Sequence, residues 1–320
     1  MNPGISVRVI WLASYPKSGN TWMRMLIANL SAGGDTPIDI NDVRFDGGMA
    51  SARAPFERLS LIDSALLTYD ESDRIRPLLY RAMRNSAGDE EDGDISASAQ
   101  FIKVHDAYTF TADGDALLGG SEAADGAILV VRDPRGVAPS LASHLGLSID
   151  QAIAFMQDVN ASFCGAPGRF YNQLRQQLPG WTGHTASWLD QRDLPVAVVR
   201  YEDLQSNTAD ELRRVLDFAG HDATDEQIER AVRFADFKEL QRQEREKGFG
   251  EAPRPHANGN FFRRGVADGW RDELTDDQIA RIEAAHAPMM RRLGYELPPS
   301  DAACTQSAIA GESVHTSSVR

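Results

Sequence analysis

The chain has 320 residues, 42% of them hydrophobic, and a formal net charge of -14 at pH 7, enough for one large domain or two small ones with a sizeable core and too acidic to favour nucleic acid as a partner. Two cysteines, Cys164 and Cys304, make no disulfide framework and suit a reducing interior. The start, MNPGISVRVIW, reads as carrying no secretory leader, and no apolar run approaches the ~18 residues of a membrane span.

In chain order, VRVIWLAS at 7–14 reads as a buried strand, and 20–30 as a helix with Trp22, Met25, Leu26 and Leu30 at helical spacing. Residues 31–58, rich in Gly, Asp and Pro, read mostly as loop, 59–84 as one or two helices, and SAGDEEDGD at 86–94 as an acidic surface loop. A second strand at 99–104 ends at Lys103-Val104-His105, and AILVV at 127–131 is a third, turning through Arg132-Asp133-Pro134-Arg135 into a helix from near Gly136. Helices are expected at 149–160 and 169–178, a fourth strand and its exit loop in PVAVVRYEDL at 195–204, and further helices at 208–219, 225–233 and 275–292. Residues 247–270 look irregular, Gly-rich, basic and aromatic, and from Pro298 the chain reads as a disordered tail. The alternation predicts an α/β fold, a P-loop-like three-layer sandwich with a central, mostly parallel sheet, forming a single domain over 1–297 with the tail at 298–320.

The turn after the first strand is where such a fold holds an anion. Gly19 permits a tight turn, and a helix starting at Asn20 or Thr21 offers unpaired backbone N–H groups. Thr21 adds a hydroxyl and Lys17 a point charge. The common loop Gly-x-x-x-x-Gly-Lys-Ser/Thr is absent, because Lys17 precedes Gly19 and Ala13 stands where the early glycine belongs. A capped helix with a surface lysine is the plainer alternative.

YPKSGNTW resembles the 5′-phosphosulfate loop of sulfotransferases that use PAPS (3′-phosphoadenosine-5′-phosphosulfate), usually Tyr-Pro-Lys-Ser-Gly-Thr-Thr-Trp, with Asn20 replacing the first threonine. The resemblance implies that Lys17, Ser18, Gly19, Asn20 and Thr21 bind this donor and its product PAP, with Lys17 and Thr21 on the 5′-phosphate and Trp22 near the adenine. On its own, Trp22 reads equally well as core.

Three later stretches fit. In VVRDPRGVAPSLASH, Arg132 at a strand end and Ser140 on the next helix resemble the family's 3′-phosphate motif, though an Arg132–Asp133 surface pair is the bland reading and Pro139 is unusual inside a helix. In FFRRGVADGW, Arg263, Arg264 and Gly265 resemble the segment that closes over the 3′-phosphate, within a basic group that also includes Arg254 and Arg271. In VVRYEDLQSNT, Tyr201 stands where the family places a tyrosine by the adenine and its ribose, and Phe234 is a loosely similar adenine neighbour. GHTASW at 183–188 resembles a packing segment, so His184 is given no chemistry.

Transfer of a sulfuryl group needs stabilisation of charge on the departing phosphate, a role for Lys17 and the 19–22 backbone, and a base for the incoming hydroxyl. Of seven histidines, His105 ends a strand in FIKVHDAY and resembles the catalytic histidine of the family's Lys-x-His string, with Lys103 assisting. The alternative is a strand-end histidine bonded to backbone. His144, one turn past Ser140, is a second histidine near the site, and Asp106 and Ala107 depart from the family's usual residues. No metal-ligand pattern is present in the sequence. A small-molecule kinase and a non-catalytic nucleotide-binding protein are the rivals. The acceptor reads as a small organic molecule, with hydroxyl or amine and a homodimer both left open.

Overall fold

The computed structural model of the chain describes residues 7–42, 46–86, 99–166, 169, 171–252 and 260–298. Its strands are β1 (Arg8–Ser14), β2 (Asp46–Met49), β3 (Ala99–Val104), β4 (Gly126–Val131), β5 (Ser162–Phe163), β6 (Gln176–Gln177) and β7 (Val196–Arg200). Five of them form one sheet in the order β2-β3-β1-β4-β7, with every pairing parallel, while β5 and β6 make a small antiparallel ribbon. The helices are α1 (Asn20–Ala32), α2 (Arg53–Ser60), α3 (Tyr69–Ser86), α4 (Pro134–Leu145), α5 (Ile149–Gln157), α6 (Gly180–Asp190), α7 (Tyr201–Ser206), α8 (Thr208–Ala219), α9 (Asp225–Phe234), α10 (Phe237–Lys247) and α11 (Asp276–Arg292).

The central strands are apolar on both faces, as a sheet covered on both sides requires. Ile10 and Leu12 of β1 and Ile128 and Val130 of β4 point into a core shared with α1, α8 and α9, built on Met23, Leu26, Leu216 and Ile228. The alternate residues Val9, Trp11, Ala13, Ala127 and Leu129 face Tyr80 of α3 and Trp188 of α6. Beyond them α4, α5, α6 and α11 pack around Val137, Ile153, Trp181 and Ile282. The result is the three-layer α/β/α arrangement expected.

Several expectations need correction. Residues 169–178 are not helical where described. Leu174, Gln176 and Leu178 are buried at alternate positions, and the extended backbone bonds to Ser51, Ala107 and Ala161. The supposed loop at 31–58 contains β2 and most of α2, and 59–84 holds the end of α2, a 3-10 turn at Ser64–Leu66 and most of α3. The exit from β7 is the short helix α7, and α6 and α10 are helices that the sequence pattern does not predict. Residues 87–94 of the acidic segment, Arg254, His256, Cys304 and the tail from 299 lie outside the described residues.

Candidate functional site

β1 delivers the chain into the turn Tyr15–Gly19, and α1 carries it away. Lys17 has φ 70, an uncommon value for a residue with a side chain. Gly19 has φ 108 and caps α1 without a side-chain acceptor, so the first N–H groups of α1 stay available to an anion. A Cβ at Gly19 would stand 2.7 Å from Tyr201 Cδ2, which is why only glycine fits beneath that ring. Asn20 is not the cap. It is the first residue of the helix, and its Nδ2 donates back to Leu12 O at 2.8 Å and Ser14 Oγ at 3.2 Å, tying α1 to the end of β1. Ser18 Oγ and Asn20 Oδ1 are buried with no protein partner.

A cleft with a cavity volume of about 350 Å³ opens at the C-terminal ends of β1, β3 and β4. Lys17, Gly19, Asn20, Thr21, Trp22, Lys103, His105, Arg132, Ser140, Tyr201, Arg263, Arg264 and Gly265 all line it. Ser18 lies beneath the lining. Phe234 is outside it: α9 ends there, and the ring sits against Arg233, 5.1 Å from that guanidinium carbon. Phe237, first residue of α10, lines the cleft instead, with its ring 2.5 Å from where a Cβ of Gly265 would stand.

The cations fall into two sets. Lys17 and Arg132 rest on aromatic faces, the Lys17 ammonium 3.5 Å from the Phe261 ring centre and the Arg132 guanidinium 4.4 Å from that of Tyr201. Arg132 reaches Lys17 O at 3.4 Å and Val266 O at 3.5 Å, while its buried Nε has no partner. Asp133 is not its surface mate, because it caps α4 and pairs with Arg135 at 2.6 Å. Burial, then the neighbouring charges of Lys103 and Arg132, bring Lys17 down to about 7. The second set is already paired with carboxylates. Arg263 meets Glu273 and Pro139 O, Arg264 meets Asp272 at 2.8 Å, and Lys103 meets Glu251 at 2.7 Å. Sequence reasoning passed over Glu251, which is remote in the chain from Lys103, and Glu273, which lies only ten residues past Arg263 but in no recognisable motif.

His105 is partly buried, with Nδ1 2.8 Å from the Ser14 carbonyl and 3.2 Å from Ser14 Oγ. A carbonyl only accepts, so Nδ1 carries the proton and Nε2 keeps its lone pair. Burial and then Lys103 hold the imidazole well below its ordinary value, so it is neutral. Asp106 faces away, paired with the buried Arg76 at 2.6 Å and accepting the Gln177 N–H at 3.0 Å. His184 Nε2 donates to His105 O at 3.1 Å and Trp188 Nε1 to Asp106 O at 3.1 Å, so the backbone beneath the imidazole is pinned from behind. His144 also lines the cleft, against Phe261, with a buried Nδ1 that has no partner. On the β2 side the wall is Met49, Phe163 and Gln173. Among the described residues no three His, Cys, Asp or Glu side chains group as metal ligands, and no helix is long and apolar enough to cross a membrane.

Comparison with known proteins matches residues 126–294, more than half of the chain, to the sulfotransferase domain family. Cytosolic sulfotransferase 16 of Arabidopsis thaliana is 23% identical over 288 residues, covering 85% of this chain and 73% of that protein. Luciferin sulfotransferase of Photinus pyralis is 23% identical over 282 residues, covering 86% and 69%. Among solved structures, a mouse sulfotransferase complexed with PAP superposes with TM-score 0.52 at 16% identity, over 94% of this chain and 88% of that one. Retinol dehydratase in complex with retinol and PAP gives TM-score 0.53 at 18% identity, over 91% and 83%. At these identities the structural likeness is one of fold.

Proposed function

The chain belongs to the sulfotransferase family, and from that premise we propose that it moves a sulfuryl group from PAPS to a hydroxyl or amine of a small organic acceptor, with His105 as general base. The observation that carries this reading is the convergence, in one cleft, of His105 with Nε2 free and of Lys17, Lys103 and Arg132.

The residues fit such a donor. The uncapped N-terminus of α1, the partnerless Arg132 Nε, and the rings flush against Gly19 and Gly265 together make a cradle for anions beside flat surfaces. In this reading Lys17 and Ser18 to Thr21 hold the 5′ end, while Arg132, Ser140, Arg263, Arg264 and Gly265 hold the 3′-phosphate. Trp22 and Tyr201 flank the adenine, and Phe237, which lines the cleft, takes the role that the resemblance suggests for Phe234. PAPS, when bound, supplies an activated sulfuryl group on a phosphate leaving group. His105 Nε2 accepts the proton of the attacking group, and the anion nearby lifts its value toward the range where a base works best. Lys17 and the α1 N-terminus face the charge that grows on the departing oxygen, and Lys103 assists. Residues 1–297 serve as one domain in this proposal, supported by a single main sheet with cores on both faces.

A kinase would share the strand, loop and helix. It would need a lysine after the glycine and a carboxylate for Mg²⁺, whereas this chain has Asn20 and Arg132 at the corresponding places. The test is incubation with sulfur-labelled PAPS and an acceptor library, read by high-resolution mass spectrometry. Label should move to an acceptor, His105→Ala should abolish turnover while PAP still binds, and phosphate transfer from ATP would overturn the proposal.

A further inference from the structure

Glu251 lies just past the end of α10, far in sequence from the residues it touches. Its Oε1 accepts from the Arg24 guanidinium at 2.5 Å and its Oε2 from the Lys103 ammonium at 2.7 Å. Arg24 is buried one turn into α1, the helix whose N-terminus faces the cleft, and Lys103 is buried near the end of β3, two residues before His105. One carboxylate therefore joins the segment after α10 to α1 and β3, two of the elements that line the cleft. Burial would raise this carboxyl, but Lys103 and Arg24 draw it down to about 2, so it is charged at working pH. A lysine ammonium is a point charge on a flexible stem and stays where its contacts hold it.

From this geometry we infer that Glu251 is a positioning residue: it holds the Lys103 ammonium beside His105 and, through Arg24, ties it to the helix that follows the phosphate loop. The inference rests on the sulfuryl-transfer reading for its kinetic consequence. It also has an electrostatic one. Lys17 feels Lys103 and Arg132, which push its proton off, and Glu244 and Glu251, which retain it. His105 feels Lys103, His184 and Glu251, and His144 feels Lys17, Lys103 and Glu251. Removing the Glu251 charge should let Lys17 lose its proton at lower pH.

The test uses the full chain with Glu251→Gln and Glu251→Asp. In the ligand-free protein, the Lys17 side chain is titrated by NMR with isotope-labelled lysine. Its midpoint should fall by about half a unit in Glu251→Gln, a ~3-fold change in proton affinity. With donor and acceptor, kcat should fall ~10-fold or more while the acceptor KM moves less than ~3-fold, the alkaline limb of kcat/KM should shift to lower pH, and Glu251→Asp should recover part of the loss. Should Glu251→Gln not fold, the Asp variant and a double-mutant cycle with Lys103→Met decide. Loss of the carboxylate contact should cost little more once Lys103 is gone, and fully additive losses overturn the inference. An unshifted Lys17 titration together with wild-type kcat also overturns it. If the wild-type protein neither binds PAP nor transfers sulfur, the sulfuryl-transfer reading is what fails, and the ligand-free titration still judges Glu251.

Discussion

Replacing Gly19 with alanine strikes the cleft at one atom. Gly19 has φ 108, and its added Cβ would meet Tyr201 Cδ2 at 2.7 Å, well inside the 3.4 Å at which ordinary contact begins. The left-handed backbone costs an L-residue about 1–2 kcal/mol, and displacing a packed ring costs about 1–3 kcal/mol more. Gly33 at the other end of the same helix is the control. Its φ is 63 and nothing lies within 4 Å of its Cβ position, so Gly33→Ala carries the backbone cost without the collision. At roughly 2–4 °C per kcal/mol, Gly19→Ala should melt about 4–20 °C below wild type and Gly33→Ala about 2–8 °C below, by scanning calorimetry. Because the Arg132 guanidinium lies on the Tyr201 ring, a moved ring also carries the guanidinium off station. PAP affinity in Gly19→Ala should fall ~10-fold or more by titration calorimetry, with Gly33→Ala unchanged. A Gly19→Ala protein that melts with Gly33→Ala and binds PAP like wild type would refute the reasoning.

Three further expectations follow from the cleft's charges. Arg132→Met should erase the preference for a 3′-phosphorylated adenosine bisphosphate over AMP in calorimetry, and retained discrimination would assign that phosphate elsewhere. Lys17 is brought from 10.5 to about 7 by burial and its cationic neighbours, so the unfolded chain binds more protons than the folded one between those values. Lys17→Met should therefore raise the melting temperature most below pH 7, with the gain fading as pH climbs toward 10.5, and a gain independent of pH would contradict a buried charged lysine. Glu273 occupies Arg263 and Arg264, so Glu273→Gln should tighten PAP binding by ~3-fold or more, and weaker binding would mean that Glu273 orders those arginines for the ligand.

The strands were legible because apolar runs bounded by Gly, Lys or Arg combine two strong local signals, and the turns after β1 and β4 do line the candidate cleft. What escaped notice lacked an apolar face. α6 buries Trp181, His184, Thr185 and Trp188 at helical spacing, yet half of those are polar and two glycines suggest a loop. α10 buries Leu240 together with Gln243, which hydrogen-bonds the backbone of Ile38 and Ile40, and Glu244, which accepts from the backbone of Phe261 and Phe262, so its inner face reads as surface. In the segment misread as a helix, the alternation of Leu174, Gln176 and Leu178 was hidden by the glutamine. His105 could be picked out by its strand end, but the Ser14 carbonyl that sets its tautomer and the Glu251 carboxylate on Lys103 are long-range contacts that no local pattern encodes.

The two walls of the cleft have different architectural standing. Arg132 follows the inner strand β4, and Tyr201 follows β7, an edge strand paired with β4 over five residues in unbroken register, whereas Met49, Phe163 and Gln173 come from the other edge strand β2, whose register shifts between Asp46 and Met49, the ribbon β5 and the extended chain next to it. Under the proposed function, exchange of residues along that side retunes which molecules are accepted while the residues assigned to the donor stay untouched. A lineage, or a laboratory, can thus change the clientele of this scaffold without reinventing its chemistry.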